Sequence, residues 1–374
     1  AVWLLAELAR GQWFTGFPWV AAGYAHVDGP LATLAPWIGV YGMGAVGAAL
    51  AAWVGLAMAG PVRRAALAGA GVVALLLAGA VVGPGDFTRP TGRLSLTLLQ
   101  GNVAQDEKFS LEHLPEALAW TRTQLLAARG NLVLAPETVI PLLPSQLEPG
   151  YWDSITAHFA RGDQAALIGL PLGDSDTGYT NSAAGLATGP MYRYDKNHLV
   201  PFGEFIPTGF RWFTELMNIP LGDFNRGPLA APSFPVKGER VGPNICYEDL
   251  FGEELAVRFL DPSTAPTVLA NLSNIGWFGD TIAVDQHLHI SRLRTLELQV
   301  PMVRATNTGA TAVIDHQARV TASLAPHTQG VLDAQVQGRS GRTPFAWWAG
   351  HFGLWPLWLL GAAVALALVR RRRP

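Results

Sequence analysis

Val241-Gly242-Pro243-Asn244-Ile245-Cys246-Tyr247-Glu248 runs from a short apolar stretch into the only cysteine of the 374-residue chain. Val241–Ile245 reads as a strand and Leu250–Leu260 behind it as a helix. The same alternation extends in both directions. Arg93-Leu94-Ser95-Leu96-Thr97-Leu98-Leu99 alternates polar and apolar residues as a strand does, and Leu111–Arg129 reads as a helix with Ser110 as its N-cap. Asn131–Ala135 is a short apolar strand ending at Pro136-Glu137. Ala165–Leu170, Ser182–Leu186 and Met191–Tyr194 read as strands before the cysteine. Thr267–Leu272, Met302–Ala305 and Ala310–Ile314 read as strands after it, with Asp285–Gln299 as a helix between them. This pattern predicts an α/β sandwich, with helices covering the sheets.

The flanks are of another kind. The chain is 49% hydrophobic and 14% charged, well below the roughly 25% charge of soluble domains. The deficit lies at the ends. Residues 1–85 hold Glu7, Arg10, Asp28, Arg63 and Arg64, and residues 344–374 hold only Arg370 to Arg373. Trp37–Val62, Ala65–Gly85 and Phe345–Val369 are each long enough to cross a bilayer, which takes about 20 apolar residues. Ala1–Val27 is a fourth apolar stretch, and its abrupt start is read as the later part of a longer N-terminal membrane region. Placing both Arg clusters in the cytoplasm puts the middle segment on the outer side of the membrane. Nine of the 13 tryptophans fall in these flanks, several at the ends of the apolar runs. The expected division is residues 1–88 for the N-terminal membrane helices, 89–343 for an extracytoplasmic catalytic domain, and 344–374 for a C-terminal membrane helix with an Arg tail. A net charge of −2 offers nucleic acid no electrostatic footprint. Gly42-Met43-Gly44-Ala45-Val46-Gly47 matches a dinucleotide fingerprint but lies inside an uncharged span, where small residues serve close helix packing.

Three segments each follow a predicted strand: Leu134-Ala135-Pro136-Glu137-Thr138, Tyr194-Asp195-Lys196-Asn197-His198 and Asn244-Ile245-Cys246-Tyr247-Glu248. Strands of an α/β sheet deliver such residues to one edge. A carboxylate, an ammonium and a thiol brought together there form a set suited to acyl transfer. The carboxylate takes the thiol proton, and the ammonium favours the thiolate and the developing oxyanion. The N-terminus of the following helix would assist the thiolate. Taken singly, Glu137 also reads as a solvated loop carboxylate, Lys196 as a surface cation and Cys246 as a core filler. Lysine is scarce in this Arg-rich chain, with Lys108, Lys196 and Lys237 the only three, which shifts the balance for Lys196.

Longer strings carry a resemblance. The three motifs in this order resemble the Glu-Lys-Cys pattern of the carbon–nitrogen hydrolase (nitrilase) superfamily. Phe14-Thr15-Gly16-Phe17-Pro18-Trp19, Gln100-Gly101-Asn102-Val103, Tyr194 through Glu204 and Ser273-Asn274-Ile275-Gly276-Trp277-Phe278-Gly279 are similar to its membrane-bound branch, the bacterial apolipoprotein N-acyltransferase family. The resemblance implies a nitrilase-like αββα sandwich inserted between transmembrane helices, in the bacterial inner membrane with its catalytic domain in the periplasm. It implies Glu137 as general base, Lys196 as oxyanion-stabilising cation and Cys246 as nucleophile. Glu204 would order Lys196, Tyr247 and Glu248 would shape the pocket beside Cys246, and Trp277 would line the acyl or lid region. Phe109 stands where the family often has Trp. The implied acyl donor is a phospholipid, phosphatidylethanolamine by resemblance, cleaved at its sn-1 ester. The implied acceptor is the α-amine of a diacylglyceryl-modified N-terminal Cys of an apolipoprotein. Membrane lipids complete the partners, and no cofactor or metal is implied.

Other features read more plainly. Phe205–Phe224, rich in Phe, Trp, Leu and Met, is expected to form a hydrophobic lid that excludes water from the thioester. His287 and His289 read as structural or solvated rather than metal-binding, His198 as a loop hydrogen-bonder or a tuner of Lys196, and Arg292 and Arg294 as part of a polar helix face. A membrane-tethered amidase using water as acceptor, and a non-catalytic membrane scaffold, remain as alternatives.

Overall fold

The computed structural model describes residues 1–371 apart from 106, 109, 111 and 207–223. Phe109 and nearly all of the expected lid therefore lie outside the described residues. The chain begins with α1 (Val2–Gln12), a run of short turns, and then α2 (Ala35–Met58) and α3 (Val62–Val82). Two mixed sheets follow. The first contains β1 (Thr88–Gln100), β2 (Leu132–Leu134), β3 (Ala165–Asp174), β4 (Gly178–Leu186) and β5 (Tyr192–Asp195) side by side. The second contains β6 (Phe234–Val236), β7 (Glu239–Ile245), β8 (Val268–Ser273), β9 (Met302–Thr306), β10 (Ala312–Ile314) and β11 (Val320–Ser323). β12 (Gly330–Gly341) returns to the first sheet and pairs antiparallel along β1.

Within each sheet the middle three strands run parallel: β1, β2 and β3 in one, and β7, β8 and β9 in the other. β4 reverses and β5 reverses again, so β5 points the same way as β2 and β3. The ends of β2 and β5 thus share one edge of the first sheet, while β7 and β8 end together in the second. Leu94, Leu96, Leu98, Leu134 and Leu167 face Val241, Ile245, Leu272, Val303 and Ala305 across the interior between the sheets. The period-two spacing of the β1 leucines is what allows one face to be buried. On the outer face of the first sheet, Val133, Ala166 and Ile168 pack against α4 (Leu114–Ala127) and α5 (Tyr151–Arg161) through Leu125, Ile155 and Phe159. Outside the second sheet lie α6 (Gly252–Val257) and α7 (Ala283–Leu298). The order of layers is helix, sheet, sheet, helix, the αββα sandwich expected.

Several boundaries differ from the sequence reading. α4 begins at Leu114, with Pro115 in its first turn and no side-chain cap, rather than beyond Ser110. β4 starts four residues before Ser182. β6, β11, β12 and α5 lie outside the elements read from sequence. Arg294 is buried against Glu297 at 3.0 Å and does not belong to a polar face. Arg292, in contrast, reaches Asp28.

The flanking helices dock on the outer helical layer. Leu8, Trp19, Tyr24 and Val40 pack with Leu250, Phe251, Ile290 and Leu293. α2 is kinked at Gly39 (φ +65°), where a Cβ would lie 2.3 Å from the Phe345 ring. Backbone groups at the kink find partners outside the helix. Val40 N–H donates to Glu297 Oε1 (2.7 Å), and Trp348 Nε1–H donates to the Trp37 carbonyl (2.8 Å). Gly42–Gly47 is helical, and Gly44 lies close to the Gly23 backbone, in keeping with a packing role. The stretch 345–369 is two helices, α8 (Pro344–Phe352) and α9 (Trp355–Arg371), bent by 88° at Gly353 (φ +56°). Among the described residues, one helix, Pro30–Met58, is long and apolar enough to cross a membrane, and the α8–α9 pair passes the same test if taken as one bent span.

Phe159 is fully buried between α5 and the first sheet. Its replacement by Ala is expected to lower unfolding free energy by about 3–5 kcal/mol in denaturant titration. A loss below about 1 kcal/mol would contradict the packing described.

Candidate active site

Glu137 lies just past β2, in a buried turn where Thr138 takes a left-handed backbone (φ +45°). Its two oxygens have separate tasks. Oε1 accepts from Lys196 Nζ (3.1 Å) and Asn181 Nδ2 (2.7 Å), and Oε2 accepts from the Asn274 backbone N–H (2.9 Å). The last bond crosses between the sheets, since Asn274 directly follows β8. Lys196, the residue after β5, is 1% exposed, and its ammonium is also 3.0 Å from Glu204. Asn181 Nδ2 donates to Glu204 Oε1 as well (2.5 Å), and Val200 N–H donates to Glu204 Oε2 (2.8 Å). One ammonium is thus held between two carboxylates with an amide bridging them.

Cys246 follows β7 directly, also with a left-handed backbone (φ +50°). It opens a turn of 3-10 helix, Cys246–Leu250, and α6 starts only at Gly252 with six residues. The sequence reading placed the thiol between a strand and a longer helix, Leu250–Leu260. The structure corrects that, leaving little macrodipole to favour a thiolate. Burial pushes the Cys246 thiol up to about 12, with the Glu137 carboxylate adding to the rise. Lys196, the Ser273 hydroxyl and the Asn274 N–H pull in the opposite direction without prevailing. The resting thiol is therefore protonated and needs a base.

Burial also pushes the Glu137 carboxyl up, but Lys196, Lys108 and Asn181 together hold it below the usual carboxylate range. Lys196 is pulled down by burial, and Glu137 and Glu204 more than reverse this, raising its pKa. The site thus holds a charged carboxylate and a charged ammonium within electrostatic reach of a neutral thiol.

Glu248 and Tyr247 hold the surroundings. Glu248 Oε2 accepts from Tyr194 Oη–H (2.7 Å) and Ile245 N–H (2.6 Å), and Oε1 accepts from Asn197 N–H (2.7 Å). This carboxylate clamps the lysine loop to the cysteine turn. Burial raises its pKa against these bonds. Tyr247 Oη–H donates to the Gly16 carbonyl (2.8 Å), tying the site to the Phe14–Trp19 segment. His198 bridges Glu254 (2.9 Å) and the Thr15 carbonyl (3.0 Å), the loop-bonding role among its two readings. His287 bonds Asp249 and Arg304 in a fully buried network. Trp277 is 71% exposed on the loop after β8.

Glu137, Lys196 and Glu204 are joined directly, with Cys246, Tyr247 and Glu248 on the adjoining turn. Asn181, Asn274 and Lys108 were not singled out as site residues from sequence. Asn181 had one available signal, a strand-disfavoured Asn just before Ser182.

The sequence pattern of the carbon-nitrogen hydrolase family matches residues 99–345, and that of the apolipoprotein N-acyltransferase N-terminal domain matches residues 1–53. The chain is 57% identical over 375 residues to the apolipoprotein N-acyltransferase of Verminephrobacter eiseniae, covering 95% of this chain and 70% of that protein. It is 48% identical to that of Ralstonia nicotianae, over 100% of this chain and 71% of that protein. In fold it is similar to the C. elegans NitFhit protein, with a TM-score of 0.51 and 17% identity over 67% of this chain and 62% of that one.

Gly169 on β3 lies against the Glu137 turn: a Cβ there would sit 2.2 Å from the Pro136 carbonyl oxygen and 2.7 Å from Glu137 Cα. Gly169→Ala is expected to displace the Glu137 turn and lower acyl-transfer rate about 10–100-fold while circular dichroism stays that of the folded chain. An unchanged rate in the folded variant would show that the position of Glu137 is not critical.

Proposed function

We infer the reaction from a plain premise: the chain belongs to the apolipoprotein N-acyltransferase family, within the carbon–nitrogen hydrolases. It is an acyltransferase of lipoprotein maturation. We propose the Glu137, Lys196 and Cys246 chemistry as its means. The observation that carries this reading is the ammonium of Lys196, held between Glu137 and Glu204 beside a thiol that is protonated at rest.

In the first half-reaction Glu137 takes the thiol proton as Sγ attacks the sn-1 ester carbonyl of a phospholipid, for which we propose phosphatidylethanolamine. The carbonyl oxygen becomes an oxyanion facing Lys196. The carbon–oxygen bond then breaks, Glu137 returns the proton to the departing glycerol oxygen, and lysophospholipid leaves a thioester on Cys246. In the second, the α-amine of a diacylglyceryl-modified N-terminal Cys attacks the thioester and gives a proton to Glu137. As the carbon–sulfur bond breaks, Glu137 passes that proton to the departing sulfur, which restores the thiol and the carboxylate. Splitting the transfer this way replaces one difficult step by two easier ones.

The supporting residues have parts in the same reading. Glu204 orders Lys196, Glu248 and Tyr247 hold the cysteine turn, and exposed Trp277 and Phe278 offer apolar surface to an acyl chain. Residues 1–88 and 344–374 are proposed as membrane segments around a catalytic domain at 89–343, on the periplasmic side of a bacterial inner membrane. The apolar Pro30–Met58 helix and the bent C-terminal pair support this placement.

Mixing the chain with phosphatidylethanolamine in the absence of acceptor should add the mass of one fatty acyl group, detected by intact-protein mass spectrometry, with none on Cys246→Ser. The adduct should persist until an amine acceptor peptide is supplied. Rapid loss of the adduct to water without acceptor would favour an amidase-like hydrolase instead. No adduct would remove the thioester route.

A further inference from the structure

Of the three lysines, Lys196 belongs to the proposed triad and Lys237 pairs with Asp163 at the surface (3.1 Å). Lys108 is the one without a role, and it is only 6% exposed. Its ammonium donates to the Glu137 backbone carbonyl (3.1 Å) and to Thr138 Oγ1 (2.5 Å). Both acceptors are uncharged. A buried ammonium whose acceptors among the described residues are neutral is costly unless a nearby negative charge repays the desolvation. Among the described residues, the titratable groups acting on it are Glu137 and Cys246, the proposed base and nucleophile. Glu137 in turn is faced by Lys196 and Asn181, and Lys196 by Glu204. One of the two atoms Lys108 holds, the Glu137 carbonyl oxygen, belongs to the peptide that leads into the left-handed turn at Thr138, and the other is that threonine's side-chain hydroxyl. A cavity of about 20 Å³, the size of one water, adjoins it and is lined by Gly101, Glu137 and Asn307 among others.

We propose that Lys108 is a positioning residue for the acyl-transfer step: it pins the Glu137–Thr138 peptide and supplies a second positive charge facing the Glu137 carboxylate and the Cys246 thiolate. This rests on the reading of Glu137 as base and Cys246 as nucleophile. Lys196 sits at the carboxylate head of Glu137 and Lys108 at its backbone, so the base is held at both ends by cations. When the thiol gives up its proton, Lys108 favours the charge that appears on sulfur. Burial brings its own pKa down to about 8, against the opposing pull of Glu137 and Cys246. The charge is therefore present at neutral pH and is lost as pH rises through about 8.

The test uses the full chain and follows acyl-Cys246 formation from phosphatidylethanolamine between about pH 4 and pH 10. Alkylation of Cys246 by iodoacetamide is measured in parallel. For the native chain the acylation rate should fall as pH passes about 8. K108R keeps its charge throughout and should lack this alkaline fall. K108M should form the acyl-enzyme about tenfold more slowly with KM for phospholipid nearly unchanged, and its acid limb should move to higher pH because Glu137 has lost a neighbouring cation. If K108M does not fold, K108R decides alone. A native-like alkaline fall in K108R, or a native pH profile in folded K108M, overturns the proposal. Should the native chain form no acyl-enzyme, the reaction proposed above is at fault, and the alkylation profile still decides the case of Lys108: a rise in the pH needed for alkylation in K108M, reversed in K108R, supports it, and identical profiles overturn it.

Discussion

A lysine ammonium removed from water and set between two carboxylates is the constraint around which this site is arranged. Placing Lys196 at 1% exposure has a desolvation cost of several kcal/mol, recovered only if its partners are charged and well placed. Glu137 and Glu204 meet that need at 3.1 and 3.0 Å, and Asn181 fixes their relative position by donating to both. The consequence is chemical as well as structural. The same cation that stabilises the Glu137 carboxylate keeps it ionised and ready for a proton, while the neighbouring thiol is kept neutral by burial. A base below its usual range and a nucleophile above its usual range leave proton transfer uphill at rest. In the reaction proposed above, this transfer becomes feasible when an ester carbonyl arrives to take the sulfur's electrons and place an oxyanion near Lys196.

The fold supplies the geometry through strand direction. β2 and β5 point the same way in one sheet, and β7 and β8 run parallel in the other. Glu137, Lys196, Cys246 and Asn274 therefore stand just beyond four strand ends. The bond from Asn274 N–H to Glu137 Oε2 joins the sheets at the site itself. Glu248 performs a similar service for the loops, reaching from the cysteine turn to Tyr194 and the Asn197 backbone. The N-terminal segment is part of the same body: Tyr247 bonds Gly16, His198 bonds Thr15, and Glu297 reaches the kink at Gly39. The flanking helices and the cysteine turn are thus mechanically continuous.

Much of this was legible from sequence because the decisive residues sit where local pattern is strongest. Glu137 and Cys246 each follow a short apolar run, Lys196 follows the strand-like Met191–Tyr194 stretch, and the β1 leucines alternate cleanly. What escaped reading depends on partners far along the chain. Asn181 acquires its importance from Glu137 and Glu204, 44 and 23 residues away, and Lys108 from a carbonyl 29 residues on. β12 has Gly, Ser, Gln and Arg spread along a half-exposed edge, so no apolar alternation announced it. The C-terminal apolar run looked continuous, although Gly353 and Pro356 marked the bend. Arg294 looked like a surface residue because nothing local shows that Glu297, one turn on, is buried with it.

The account stands on a covalent acyl-Cys246 that separates donor from acceptor. Initial rates measured against phospholipid at several fixed concentrations of lipoprotein acceptor test it most directly. Parallel double-reciprocal lines are predicted, since lysophospholipid must leave before the amine reacts. Lines that converge on a common intersection would mean both substrates bind before any bond is broken, and would contradict the mechanism.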